Sequence, residues 1–126
     1  MVPRGRGHGR QRRVMSFLQP CLLVMLHRGE AHGYSLLNGL DEFGFNPDNL
    51  DASLVYRALR DMEAADLVTS QWADESQGPQ RRVYYITATG EAHLAQWVAD
   101  LRRTRREIDN LLAMYEQVTA AERQRG

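Results

Sequence analysis

DASLVYRALRDMEAADLVTSQW, residues 51–72, is the stretch that decides the fold. Asp51 is a natural N-cap, because its carboxylate can accept from first-turn N–H groups that have no partner inside a helix. Leu50 before the cap and Val55 after it form a hydrophobic staple across it. Val55, Leu59 and Met62 recur at helical spacing and line a buried face, while Ser53, Tyr56, Arg57 and Arg60 fall largely on the other side. Glu63 and Asp66 stand near the end of this helix, where the negative pole of the dipole makes acids a slight liability. The period then changes. Leu67-Val68-Thr69-Ser70-Gln71-Trp72, like Arg82-Val83-Tyr84-Tyr85-Ile86-Thr87, is rich in β-branched and aromatic residues, so a helix leads into a hairpin. Asp74-Glu75-Ser76-Gln77-Gly78-Pro79 between the strands is polar turn material, too long for a two-residue turn, and its tip is expected to be mobile.

Upstream, a short helix is expected over roughly residues 33–42, with Leu36, Leu37 and Leu40 inward, followed by loop chemistry from Phe43 to Asn49. A first helix precedes it. Ser16-Phe17-Leu18-Gln19 fits a capping box, Pro20 suits a first helical position, and Gly29 is a suitable residue just past the end. Residues 1–13, with Arg4, Arg6, Arg10, Arg12 and Arg13 and no acid, read as an arm disordered in isolation. Downstream, a long helix runs from about Ala88 to Ala121. Leu94, Leu101, Ile108 and Tyr115 recur every seven residues, and Trp97, Thr104, Leu111 and Val118 follow each by three. This is a coiled-coil seam with one polar interruption at Thr104.

The order of elements is three helices, two strands and a final helix. It predicts a mainly α chain with a small β-hairpin: a winged helix-turn-helix over 15–87, a basic arm over 1–14 before it, and a C-terminal dimerisation helix over 88–126. A helix such as 51–66 is narrow enough for the major groove of B-DNA, where each base pair shows a distinct donor and acceptor pattern. Arg57 and Arg60 suit phosphate or guanine, Ser53 a phosphate oxygen, and Tyr56 a thymine methyl or a sugar. A merely solvated face with Tyr56 half in the core fits the same residues. Arg81 and Arg82 could straddle a phosphate from the wing; alternatively Asp74 and Glu75 pair with them and leave the wing nearly neutral. Pro3-Arg4-Gly5-Arg6 resembles the core of a minor-groove hook, with Gly7 where a second proline is expected; nonspecific phosphate attraction is the plainer use of the arm.

Leu94, Trp97, Val98, Leu101, Ile108, Leu111, Leu112 and Tyr115 together need a partner. A second copy would place two recognition helices about 34 Å apart on one face of a duplex, which suits an inverted-repeat operator. Folding back onto the chain's own body is the competing arrangement, but about 30 residues span roughly 45 Å, longer than so small a body.

The 126 residues suffice for one modest core. All sixteen basic residues are arginine, and they balance sixteen acids, so the mean charge says nothing of nucleic acid. The distribution does: after the arm's five arginines, the remaining 113 residues carry 11 against those 16 acids. One cysteine, Cys21, lies in an apolar run and implies no disulfide framework. That run is too short to span a membrane and lacks the flanks of a signal peptide, so a reducing cytoplasm is the expected compartment. His27 and His32 are separated by a helix end, His8 and His93 have no companion nearby, and no phosphate-binding glycine loop follows a strand. Neither an enzyme, a metal site nor a cofactor is expected.

Taken together, His32-Gly33-Tyr34, Val55-Tyr56-Arg57-Ala58-Leu59 with Met62-Glu63 and Leu67-Val68, and Arg81-Arg82-Val83-Tyr84-Tyr85-Ile86-Thr87-Ala88-Thr89-Gly90 resemble the PadR family of transcriptional regulators. The resemblance spans about residues 18–118 and is closest to the compact branch with one C-terminal helix. It implies a dimeric repressor released from DNA by a small molecule. On matching positions it also implies DNA contacts at Tyr34, Tyr56 with its polar neighbours, Arg81 and Arg82. Three positions depart from the family pattern. Asp66 replaces a glycine after the recognition helix, so an aspartate must take the left-handed conformation or the turn must shift. Val83 replaces a tyrosine. An aromatic residue that stacks planar ligands in some relatives aligns with Leu101, and Trp97 lies one turn earlier; both are candidate ligand contacts, with interface packing the plainer role for Trp97. Two other classes remain open: a winged-helix module that binds protein instead of DNA, and a dimer whose main task is binding a hydrophobic ligand.

Overall fold

A computed structural model of the chain describes residues 5–46, 50–73 and 81–125, with the backbone alone over 5–16. It is mainly helical: α1 (Gly5–Arg28), β1 (Ala31–His32), α2 (Gly33–Gly39), a 3₁₀ turn (Leu40–Phe43), α3 (Ala52–Ala64), β2 (Val68–Trp72), β3 (Arg82–Ile86) and α4 (Ala88–Arg125). Contacts divide the chain into two units, Met1–Leu94 and Ala95–Gly126.

The core of the first unit is aliphatic. Leu18, Leu22, Leu23 and Leu26 of α1 meet Leu36 and Leu40, the α3 face of Val55, Ala58, Leu59 and Met62, and Leu67, Val68, Tyr84 and Leu94. Burying each large aliphatic side chain contributes about 1.5–3 kcal/mol. Val55, Leu59 and Met62 are the ones its periodicity predicts, and Ala58 joins them.

α3 begins where its cap predicts. Asp51 Oδ1 accepts from Ser53 N at 2.9 Å, and this bond holds the Asp51 carboxyl below the usual carboxylate range. At the other end Leu67 N donates to Met62 O at 2.9 Å and Asp66 N to Glu63 O at 3.1 Å. These two bonds form a Schellman cap, with Asp66 at φ 67° the only non-glycine residue in the left-handed region among those described. Of the two outcomes expected at Asp66, the left-handed turn is therefore the one found.

Three expectations need correction. The first helix starts at Gly5 instead of near Ser16 to Pro20, and it takes in most of the arm expected to be irregular, with Pro20 inside it. Arginine is a good helix former, and extending a helix already nucleated costs little per residue, which outweighs the glycines. Pro20 removes one N–H from the ladder and its ring crowds the carbonyl one turn earlier, but that ring is buried. The predicted helix over 33–42 is also shorter: α2 ends at Gly39, and a 3₁₀ turn closed by Gly44 at φ 89° completes it.

The third correction concerns the sheet, which has three strands in the order β1-β3-β2 and not two. β2 and β3 form the predicted hairpin, with Val68 opposite Ile86 and Trp72 opposite Arg82. Ala31 pairs with Tyr84 and His32 with Val83, making β3 the central strand. Thr87 then caps α4: its Oγ1 accepts from Gly90 N at 2.9 Å, and it lies within hydrogen-bonding distance of the Asp66 and Leu67 carbonyls, at 2.6 and 3.0 Å. Gly90 is required there, because a β-carbon would run into the Leu67 carbonyl oxygen.

Candidate nucleic-acid interface

β1 runs straight into α2, so its pairing with β3 pins the start of α2 beside the middle of the wing. The consequence is an open cleft of about 540 Å³ lined by His32, Gly33, Tyr34, Tyr56, Arg81, Arg82 and Tyr84. Four residues expected from sequence to face DNA, namely Tyr34, Tyr56, Arg81 and Arg82, thus come from three separate segments to one surface. Tyr34 is 65% exposed. Arg57, Arg60 and Ser53 are exposed on α3 without lining the cleft.

Three lining residues were not singled out as contacts by sequence. Gly33 serves Tyr56, whose ring edge would be 2.7 Å from any β-carbon added there. Tyr84 follows from strand alternation, which puts it on the same face as Arg82. Burial raises its phenol above the ordinary value, Arg82 and Arg60 oppose that, and Glu63 and Tyr56 add to it. His32 has no comparable signal; its Nδ1 is buried without a hydrogen-bond partner among the described residues.

Asp74 and Glu75 lie outside the described residues. Among the described residues Arg82 is held by Ser70, whose Oγ accepts from Arg82 Nε at 2.7 Å, and by the Trp72 ring, whose centroid is 5.0 Å from the guanidinium carbon. Of the arm residues, Arg6, Arg10, Arg12 and Arg13 stand on the backbone of α1, and Arg4 lies outside the described residues.

Leu94, expected to open the dimer seam, is only 6% exposed and belongs to the core of the first unit, with little surface left for a partner. In the second unit Trp97 and Leu101 are half-buried. Beyond them Ile108, Leu111, Leu112, Met114, Tyr115 and Val118 are exposed on α4, with Leu111 at 67% and Tyr115 at 66%.

No helix among the described residues is long and apolar enough to cross a membrane. No three His, Cys, Asp or Glu side chains among them gather as a metal ion would need.

The family model that matches the chain is that of the transcriptional regulator PadR-like family, over residues 22–96. A PadR-like transcriptional regulator from Bacillus cereus has a crystal structure that superposes with a TM-score of 0.70 at 26% identity, covering 80% of this chain and 96% of that one. A PadR family transcriptional regulator from Eggerthella lenta superposes at 0.72 with 24% identity, covering 84% and 90%, a likeness of fold. An uncharacterized protein of Lysinibacillus sphaericus is 21% identical over 96 residues, 76% of this chain and 88% of that one.

Proposed function

The chain belongs to the PadR-like family of transcriptional regulators, and we propose that it acts as a homodimeric repressor reading an inverted-repeat operator in duplex DNA. The observation that carries this reading is the cleft in which Tyr34, Tyr56, Arg81 and Arg82 converge. α3 enters the major groove there and offers Arg57, Arg60 and Tyr56 to base edges or backbone. Ser53 and Tyr34 meet phosphate or sugar at its margin. Arg81 and Arg82 hold the neighbouring backbone from the wing, and the arginines at the start of α1 add sequence-independent attraction.

The dimer is supported by the second half of α4. Six large apolar side chains stand exposed along it, from Ile108 to Val118, and they continue the heptad positions at Ile108, Leu111, Tyr115 and Val118. A second copy of the same helix covers them with matching periodicity. The seam starts at Trp97 and Leu101, since Leu94 is already used.

Selection from a pool of random duplexes tests the reading. The retained DNA should carry inverted repeats with half-sites about one helical turn apart, or a multiple of it, with two chains bound per duplex. Retention without any enriched sequence would leave a nonspecific binder. No retention at all would leave a protein-interaction module.

Release by a small aromatic molecule is supported by the half-buried Trp97 one turn from Leu101 on the seam. Planar aromatics should change Trp97 fluorescence, read in a Trp72→Phe background, and weaken DNA binding of the wild type. A response in neither removes the effector from the proposal.

A further inference from the structure

Arg82 is held by two neighbours, one of which is itself anchored by a third residue. Its Nε donates to Ser70 Oγ at 2.7 Å, Ser70 Oγ donates to Glu63 Oε2 at 2.7 Å, and its guanidinium lies over the Trp72 ring. The register explains why. Trp72 stands directly opposite Arg82 and Ser70 opposite Tyr84, so Trp72 and Ser70 are the direct and diagonal neighbours of Arg82 on one sheet face. A serine hydroxyl has a single proton. With that proton given to Glu63, only a lone pair faces Arg82, and carboxylate, hydroxyl and guanidinium form a chain with one direction.

Resting on the DNA reading above, we infer that Glu63 and Ser70 are positioning residues which, with Trp72, set Arg82 as a fork for one DNA phosphate. Arginine carries five N–H donors, and engaging Nε leaves the four at the terminal nitrogens. Those four are the donors that grip a phosphate in bidentate fashion. Ordering so long a side chain before DNA arrives removes part of the entropy cost from the binding step.

Glu63 is otherwise hard to explain. A carboxylate in the last turn of α3 opposes the helix dipole, and beside a DNA-facing cleft it repels phosphate. Simple electrostatics therefore says that removing it tightens DNA binding, whereas a positioning role says that removing it weakens binding. The two accounts predict opposite signs.

The experiment measures dissociation constants of the full chain for duplex DNA by fluorescence anisotropy across a range of salt. It compares wild type with Glu63→Ala, Glu63→Gln, Ser70→Ala, Arg82→Ala and the Glu63→Ala/Arg82→Ala double variant. Glu63→Ala and Ser70→Ala should each weaken binding roughly three- to tenfold, the ordinary worth of one hydrogen bond. Glu63→Gln keeps an acceptor for Ser70 and should stay within about twofold of wild type. Adding Glu63→Ala to Arg82→Ala should cost nothing further. Equal or tighter binding by Glu63→Ala overturns the inference, and so does an undiminished loss in the Arg82→Ala background, which would place the effect in folding. Should wild type bind with steep salt dependence while Arg82→Ala changes nothing, the positioning role fails and the DNA reading stands. If wild type shows no salt-dependent binding, both fall.

Discussion

The ring of Tyr56 lies against Gly33: a β-carbon at Gly33 would stand 2.7 Å from Tyr56 Cε1. The contact joins the first residue of α2 to the DNA-facing side of α3, so the backbone of one helix sets a side chain of the other. Gly33→Ala should therefore push the ring aside. The displaced atom is the far end of an exposed side chain, so the stability cost should stay within about 1 kcal/mol. Operator affinity should fall about fivefold or more, as one DNA contact is lost. Anisotropy and thermal unfolding on the same sample separate the two, and unchanged affinity would show that the placement of Tyr56 is irrelevant.

Asp66 turns the chain out of α3 at φ 67°, where a β-carbon is disfavoured and glycine is not. Asp66→Gly should stabilise the fold by about 0.5–1 kcal/mol, part of the gain being offset by the greater freedom of glycine in the unfolded chain. Asp66→Val should destabilise it by more, since a β-branched residue tolerates that region least. Urea midpoints at constant m-value report both.

These two residues mark what was legible in the sequence. Capping, staple and helical period act over a few residues, so Asp51, Val55, Leu59 and Met62 could be placed from local chemistry alone. Asp66 stood out as an oddity, and its conformation followed from the two cap bonds to Glu63 and Met62. β1 was not legible. Ala31 and His32 carry no strand pattern, and they become a strand only by pairing with Val83 and Tyr84, far along the chain. The grip on Arg82 was hidden for the same reason. It depends on a cross-strand diagonal, and the long turn at 74–79 leaves the register open. The early start of α1 shows the converse, with helix propagation outweighing a glycine-rich composition.

Asp51 titrates below the usual carboxylate range because Ser53 N–H binds its charged form. A group whose folded value is depressed stabilises the fold above its unfolded value and loses that contribution as pH falls through the folded one. The cap's contribution should thus be complete above the ordinary aspartate value of 3.8 and disappear at lower pH. Asp51→Asn keeps an acceptor that does not titrate. Its unfolding temperature should fall less steeply with acid than that of wild type, and parallel curves would remove the assigned role.

The apolar side chains from Ile108 to Val118 stand exposed along α4, and a second copy is proposed to cover them. Leu111→Glu should place a charge in the seam and shift sedimentation from two chains to one, with helical circular dichroism of the winged unit retained. A wild-type protein that sediments as a single chain at micromolar concentration would contradict the dimer.

The most direct test of DNA reading is the affinity of the protein for duplex DNA taken from beside its own gene, followed as salt is raised. The account predicts that log K falls linearly and steeply with log salt, by about 0.9 for each phosphate neutralised. It also predicts that Tyr56→Ala and Arg57→Ala weaken binding without lowering the unfolding temperature. Absence of binding even at low salt, or binding indifferent to salt, would contradict it.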